Sequence, residues 1–139
     1  MMPLENQLCT LEHAKKFDEL GVKAESYFVW ITGVDGQLKP FISVKDHARW
    51  KPETLKHSYP AYSSAELGVL LPTWTGEKQL LIYKDDEEFI MGYKALSKRY
   101  TARIPFSPYS CKEHEAHAKA EILIELLEKG IVKPQDLKL

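Results

Sequence analysis

The sequence predicts one α+β domain spanning residues 1–139. About five mostly antiparallel strands are expected, with an N-terminal helix and a long C-terminal helix packed on one face and a short helix between them. Three observations predict this class. Apolar residues recur at helical spacing in some segments and alternate in others, 44% of the 139 residues are hydrophobic and 28% are charged, and the short connections favour antiparallel pairing.

The first helix is predicted from Leu11 to Leu20. Thr10 precedes it as an N-cap, because a threonine hydroxyl can accept a hydrogen bond from a free amide of the first turn. Gly21 ends it, because glycine readily adopts the left-handed backbone conformation that terminates helices. The apolar side chains at three- and four-residue steps, which define the buried stripe, are Leu11, Ala14, Phe17 and Leu20.

A hairpin follows, with strands at residues 27–31 and 38–43 joined by a turn at Asp35-Gly36. The first strand is rich in aromatic and β-branched residues, which suit a pleated surface. Pro40 lacks an amide proton, so the return strand is expected at a sheet edge. Residues 45–60 show no clean period and are interpreted as a long loop or a poorly formed helix.

A short central helix begins after Ser63, which forms a capping box with Glu66, and stops before Pro72. Further strands are predicted at residues 80–83, 89–93 and 100–106 from apolar runs and from alternation of period two. An acidic turn at Asp85-Asp86 separates the first two of these strands.

The last helix is predicted to begin at a second capping box, formed by Ser110 and Glu113, and to end at Gly130. Its apolar stripe consists of Ala116, Ala120, Leu123 and Leu127. A polar tail is expected over residues 132–139.

Charge and cysteine content restrict the class of protein. Nineteen basic and twenty acidic side chains nearly cancel, so the overall charge attracts neither nucleic acid nor anionic membrane strongly. No apolar run approaches the roughly 20 residues that span a bilayer, and residues 1–8 do not resemble a secretory signal. We therefore expect a cytoplasmic protein without a membrane partner, in which Cys9 and Cys111 are reduced.

One segment could bind nucleic acid. Residues 45–57 combine cations with a tryptophan that can stack on a base, and two arginines on the wet face of the last predicted strand extend the same charge. The residues of this candidate surface are Lys45, Arg49, Trp50, Lys51, Lys56, Arg99 and Arg103. Asp46 and Glu53 interrupt the run, so a solvated loop anchored by Trp50 is the competing interpretation.

A second candidate site lies on the last helix. His114, His117 and Glu121 fall on one flank, where two imidazoles and a carboxylate could share a metal ion. Cys111 precedes them and would be an activated thiol if it lay at the helix N-terminus, which would suit a hydrolase or a metal enzyme. The alternative is that these side chains form the wet face opposite the leucine stripe.

Aromatic residues in loops and at element ends, namely Tyr59, Tyr62, Trp74 and Tyr109, would mark a partner interface if several shared one surface. A homodimer is a further expectation for a small domain with an edge strand. The sequence predicts no cofactor.

Three stretches resemble a group of small proteins of phages, prophages and gut bacteria that has no established activity. They are residues 8–22, residues 59–72, and the pattern from Glu115-Ala116 through Lys119, Leu123, Ile124, Leu126 and Leu127. The resemblance implies an α+β fold and an accessory role in a mobile element, and it assigns no cofactor and no catalytic residue. The leading hypothesis is therefore a non-enzymatic binding protein that acts through a protein surface, with nucleic-acid binding and metal or thiol chemistry as the alternatives.

Overall fold

A computed structural model describes residues 3–32, 39–45, 58–75, 78–85, 88–95, 109–112 and 114–139. The helices are α1 (Leu4–Gln7), α2 (Leu11–Glu19), α3 (Ser64–Leu70) and α4 (Glu115–Glu128), with a short 3-10 helix at Pro134–Asp136. The strands are β1 (Phe28–Ile31), β2 (Phe41–Val44), β3 (Ser58–Ala61), β4 (Trp74–Thr75), β5 (Lys78–Asp85), β6 (Glu88–Ala95) and β7 (Tyr109–Lys112). The α+β class predicted from the sequence is confirmed.

The described strands form two antiparallel sheets, where the sequence predicts one sheet of five strands. The first sheet has the order β2-β1-β3 and the second has the order β4-β5-β6-β7. Helix α4 packs on β6 and β7 of the second sheet, whereas α2 packs on β3 of the first sheet and on α4. The two long helices therefore join the two sheets.

Strand β3 replaces part of the loop predicted over residues 45–60. It pairs with β1 in a register that places Val29 opposite Pro60. Since β3 is the outermost described strand of its sheet, the missing amide proton of Pro60 interrupts no ladder to a further described strand. Strand β2 is the other outer strand, as predicted from Pro40. The predicted turn at Asp35-Gly36 and the predicted strand over 100–106 lie outside the described residues.

The predicted N-caps of α2 and α3 are confirmed. Thr10 Oγ1 accepts a hydrogen bond from the backbone of His13 at 3.1 Å, and the imidazole Nδ1 of His13 accepts from the backbone of Thr10 at 3.2 Å. Ser63 and Glu66 form the reciprocal pair at the start of α3, with distances of 3.2 and 2.9 Å. Gly21 follows α2 with a φ of 84°, which a residue with a Cβ adopts only under strain.

Helix α4 begins at Glu115, and the capping box predicted at Ser110 and Glu113 is wrong. Ser110 lies in β7, opposite Met91 of β6, and the N-cap is His114, whose side chain makes no capping hydrogen bond. Pairing with β6 holds residues 109–112 in an extended conformation, so Ser110 does not cap the helix. The predicted stop at Gly130 is confirmed by a φ of 72°.

The core lies between α2, α3 and α4. Phe17 and Tyr62 meet edge to face with ring centroids 5.5 Å apart, and the Tyr62 hydroxyl donates to the carbonyl of Ala24. The buried face of α4 contributes Ile122, Leu123 and Leu126. Leu137 is also buried, so the segment 132–139, predicted as a polar tail, packs back onto the core. Among the described residues, none of the helices combines the length and apolarity needed to cross a bilayer.

Candidate functional site

A groove of about 330 Å³ lies where α1 meets the N-terminal ends of α3 and α4. Its walls are mainly apolar, with amide and hydroxyl groups along the rim. The lining residues are Leu4, Asn6, Gln7, Leu8, Phe28, Ser63, Ser64, Ala65, Glu115 and Ala116. The described part of the chain thus presents a concave site of a size that holds a small ligand or one or two large side chains.

Backbone hydrogen bonds hold the N-terminal segment, residues 3–10, at this groove. Leu8 forms an antiparallel bridge with Ser63, and the Cys9 amide donates to the carbonyl of Tyr62 at 2.8 Å. The indole nitrogen of Trp30 donates to the carbonyl of Cys9 at 3.0 Å. The segment is therefore attached to both β1 and the β3–α3 connection, which places α1 as one wall of the groove.

A buried lysine lies behind the groove. Lys119 is 8% exposed, and its ammonium group lies 3.1 Å from the Ser64 carbonyl, 3.0 Å from the Ser64 hydroxyl and 3.1 Å from Glu115 Oε1. A lysine ammonium has three protons to donate, so these three contacts satisfy it. The charge of Glu115 in the groove wall is thereby balanced, and the groove is close to neutral.

This lysine requires the glycine in the middle of α3. A Cβ placed on Gly68 would lie 3.3 Å from Lys119 Nζ, a separation at which one of the two groups has to shift. Gly68 therefore allows the ammonium group to approach α3 closely.

A histidine cluster, consisting of His13, His114 and His117, lies beside α1, where His117 contacts Glu5. The rings of His114 and His117 are edge to face with centroids 5.0 Å apart, and His13 of α2 lies 5.9 Å from His117. His117 Nε2 is 3.4 Å from the carbonyl oxygen of Glu5, to which it donates. Glu121 Oε1 lies 3.7 Å from His13 Nε2. The sequence predicted that His114 and His117 are neighbours, but it did not predict that His13 lies beside them.

The surroundings of His117 lower its pKa. Burial is the largest cause and the nearby His114 lowers the pKa further, whereas hydrogen bonds to the backbone of Glu5 and Leu8 and the carboxylate of Glu121 act in the opposite direction. His13 Nδ1 accepts the Thr10 amide proton, so this nitrogen is the acceptor of the capping hydrogen bond.

The predicted metal ligands His114, His117 and Glu121 do lie on one flank of α4 and its N-cap. The imidazoles pack edge to face. Among the residues the structure describes, no three histidine, cysteine, aspartate or glutamate side chains are arranged to hold a metal ion. The described geometry is that of packed rings, and the metal site at His114, His117 and Glu121 stays a prediction.

Cys111 lies in β7, paired with Ile90, and the N-cap of α4 is His114. The thiol hypothesis for Cys111 stays a prediction. Cys9 is a free, fully buried thiol. Burial raises the pKa of its thiol to about 12, which leaves almost no thiolate at neutral pH.

The predicted nucleic-acid surface falls mostly outside the described residues. Lys45 is described, and its ammonium lies 3.3 Å from Glu25 Oε1. Arg49, Trp50, Lys51, Lys56, Arg99 and Arg103 lie in segments that the structure does not describe. This alternative stays a prediction.

The aromatics predicted to mark an interface do not share one surface where their side chains are described. Tyr62 is buried, and Tyr59 is half-buried with Lys15 Nζ 5.9 Å from its ring centre. Among the described residues, Tyr27 and Phe41 are exposed aromatics, at 61% and 37%. The Tyr27 ring packs edge to face with Phe28 of the groove wall, with ring centroids 4.9 Å apart. Its backbone amide is fixed at 3.0 Å by Glu66, the capping residue of α3.

No family model, no curated protein and no solved structure matches the chain.

Proposed function

We propose that this chain is a non-enzymatic binding protein that takes an apolar segment of a protein partner into the groove between α1, α3 and α4. The single observation that carries the proposal is the groove itself: a concave, mainly apolar site built from three helices, with a volume of about 330 Å³.

The chemistry of the walls supports an uncharged, apolar occupant. Among the described lining residues Glu115 alone is charged, and Lys119 neutralises it at 3.1 Å. An ionic group entering the groove would therefore lose water without gaining a free opposite charge. A large aliphatic or aromatic side chain gains about 1.5–3 kcal/mol when it is fully buried, and the rim amides and hydroxyls can bond the backbone that carries it.

The surface around the groove supports a protein partner. Leu4 is 39% exposed and Tyr27 is 61% exposed. Leu4 and Phe28 both line the groove, and the Tyr27 ring packs against the Phe28 ring. Aromatic side chains next to a pocket are typical anchors of protein interfaces. The resemblance to phage and prophage proteins further supports an accessory role in a mobile element.

Selection of random peptides on the full-length protein tests the proposal. Peptides are selected on the unmodified chain and then removed if they also bind the variant Ala65→Arg. Ala65 is an exposed residue of α3 in the groove wall, so arginine there fills the groove without disturbing the core. Ile131→Arg serves as the matched control, since Ile131 is an exposed apolar residue, at 49%, that does not line the groove.

We expect peptides with one or two large apolar residues, whose affinity falls at least about tenfold in Ala65→Arg, the equivalent of about 1.4 kcal/mol, and is unchanged in Ile131→Arg. The proposal is wrong if no peptide survives the removal step, or if the surviving peptides bind both variants equally.

A further inference from the structure

The helices that form the groove carry acidic side chains where they begin. Acidic residues are favoured in the first turn of a helix, because they offset the positive end of the helix dipole. Helices α1, α3 and α4 each have one there, namely Glu5, Glu66 and Glu115. Lys119 is the one lysine or arginine in these three helices, all of whose residues the structure describes. The surroundings of the groove are therefore rich in carboxylates.

The carboxylate of Glu66 is fixed at one edge of the groove. Its Oε1 accepts a hydrogen bond from the amide of Ser63, a lining residue, at 2.9 Å, and its Oε2 accepts one from the amide of Tyr27 at 3.0 Å. The exposed ring of Tyr27 packs on Phe28, which also lines the groove. Backbone amides are neutral, so they orient the carboxylate without removing its charge. A fixed negative charge and an exposed aromatic ring thus lie at neighbouring positions on this edge.

Charge is balanced in the groove wall but not at its edges. Glu115 in the wall is paired with Lys119 at 3.1 Å, so the apolar interior is close to neutral. Among the described residues, neither Glu5 nor Glu66 forms an ion pair with a cation. Glu5 is exposed and follows Leu4 of the groove lining. Glu5 and Glu66 therefore form an acidic rim around a neutral, apolar site.

We propose that the partner segment carries a lysine or arginine next to the apolar side chain that enters the groove. The apolar anchor fills the neutral interior, and the cation is attracted by the acidic rim, where it can also lie over the exposed ring of Tyr27. Like charges that face each other across an interface lower affinity, so a segment with acidic residues beside the anchor is rejected. This inference rests on the proposed function of the groove and adds the charge of its partner.

Peptide selection on the full chain at neutral pH tests the inference. Here the removal step uses Ala65→Trp, an uncharged substitution that fills the groove, because an arginine at this position would itself favour basic peptides. We expect lysine and arginine to be enriched beside the apolar anchor relative to the unselected library, and aspartate and glutamate to be depleted. One selected peptide is then made in four forms: as selected, with glutamine or glutamate in place of its basic residue, and with alanine in place of its anchor.

The affinities of the four peptides for the unmodified chain measure the effect of charge. An exposed ion pair changes an affinity by up to about fivefold, and reversing one charge replaces attraction with repulsion. We therefore expect binding to be about threefold weaker for the glutamine form and about tenfold weaker for the glutamate form, and to be lost in the alanine form. The advantage of the basic form over the glutamine form should shrink at high salt, because salt screens exposed charges.

The decisive variant is Glu5→Lys, which should weaken the basic peptide about tenfold and make the glutamate peptide the tighter binder of the two. The glutamine peptide reports whether the groove is intact, and its affinity should stay unchanged. Glu19→Lys is the matched control, because it makes the same change of charge at an exposed residue at the end of α2 that does not line the groove. If Glu5→Lys also weakens the glutamine peptide, Glu5→Gln replaces it, with a loss of about threefold expected for the basic peptide alone.

The outcomes separate this inference from the proposed function. Groove-dependent peptides that bind equally well with lysine, glutamine or glutamate beside the anchor overturn the inference and leave the proposed function standing. So does a basic peptide whose affinity is the same in the Glu5 variant as in the unmodified chain. Undiminished binding of the alanine form also overturns it, because the rim would then attract cations without the groove. If no peptide depends on the groove, the proposed function fails, and the inference fails with it.

Discussion

Replacing Lys119 by methionine tests whether the buried ammonium group stabilises the fold. Methionine keeps the unbranched apolar stem and removes the charge, so Ser64 loses two hydrogen bonds and Glu115 loses its ion pair. A hydrogen bond to a charged group contributes about 1.5–3 kcal/mol, but the substitution also removes the cost of burying the ammonium. Because Glu115 is 39% exposed and is hydrated once it is free, we expect a net loss of about 2 kcal/mol.

The same helix provides the control. Glu125 and Lys129 form a second pair at the same four-residue spacing, 2.9 Å apart, with Lys129 52% exposed. Lys129→Met should cost less than about 0.5 kcal/mol, as exposed pairs do. Urea unfolding followed by circular dichroism measures both; with a slope of about 2 kcal/mol per molar, the Lys119 variant should unfold at about 1 M lower urea. Equal costs for the two variants would refute the reasoning, because burial and the Ser64 contacts would then contribute nothing.

Three other outcomes are expected. Gly68→Ala should fail to give the gain of about 1 kcal/mol usual for an interior helical glycine, because its Cβ would lie 3.3 Å from Lys119 Nζ; urea unfolding should recover that gain when Lys119 is also replaced by alanine. Because the pKa of His117 is lowered in the folded state, the unfolded chain binds the proton first, so stability is full above the ordinary imidazole value of about 6.5 and falls as the pH drops. The urea midpoint should therefore be lower at pH 5.5 than at pH 7.5, and the difference should shrink in His117→Gln. In a Cys111→Ser background, the buried Cys9 thiol, whose pKa is raised to about 12, should react with a disulfide reagent at pH 8 only as fast as the protein opens; rapid stoichiometric labelling of the folded protein would contradict the described burial.

Local signals in the sequence predicted local structure well. Interactions within a few residues decide where these helices begin and end, so one sequence is enough to predict them. The examples are the start of α2 at Thr10, the capping box of Ser63 with Glu66, and the stops at Gly21 and Gly130. Ser110 shows the limit of such signals. Its spacing to an acidic residue is that of a cap, but pairing with β6 determines its conformation, and the partner strand lies far away in the sequence.

The sheets and the candidate site depend on distant contacts, and these were missed. Alternation identifies a strand without naming its neighbour, which is why one sheet was predicted where the described strands form two. The rings of His13 and His117 are in contact although the two residues lie 104 positions apart in the sequence. The buried Lys119 was missed as well: Gly68, inside α3, lets its ammonium approach, but a lone glycine in a helical pattern does not say which group approaches it.

The position of α4 has a consequence for synthesis. This helix supplies Ile122, Leu123 and Leu126 to the interior that also contains Phe17 and Tyr62, so a nascent chain that ends before residue 115 lacks one of the three helices that enclose those two rings. Until α4 leaves the ribosome, part of the apolar surface of the earlier elements stays open to water and to association with other chains. Substitutions that weaken α4 should therefore increase aggregation of newly made chains more than their effect on the finished protein suggests.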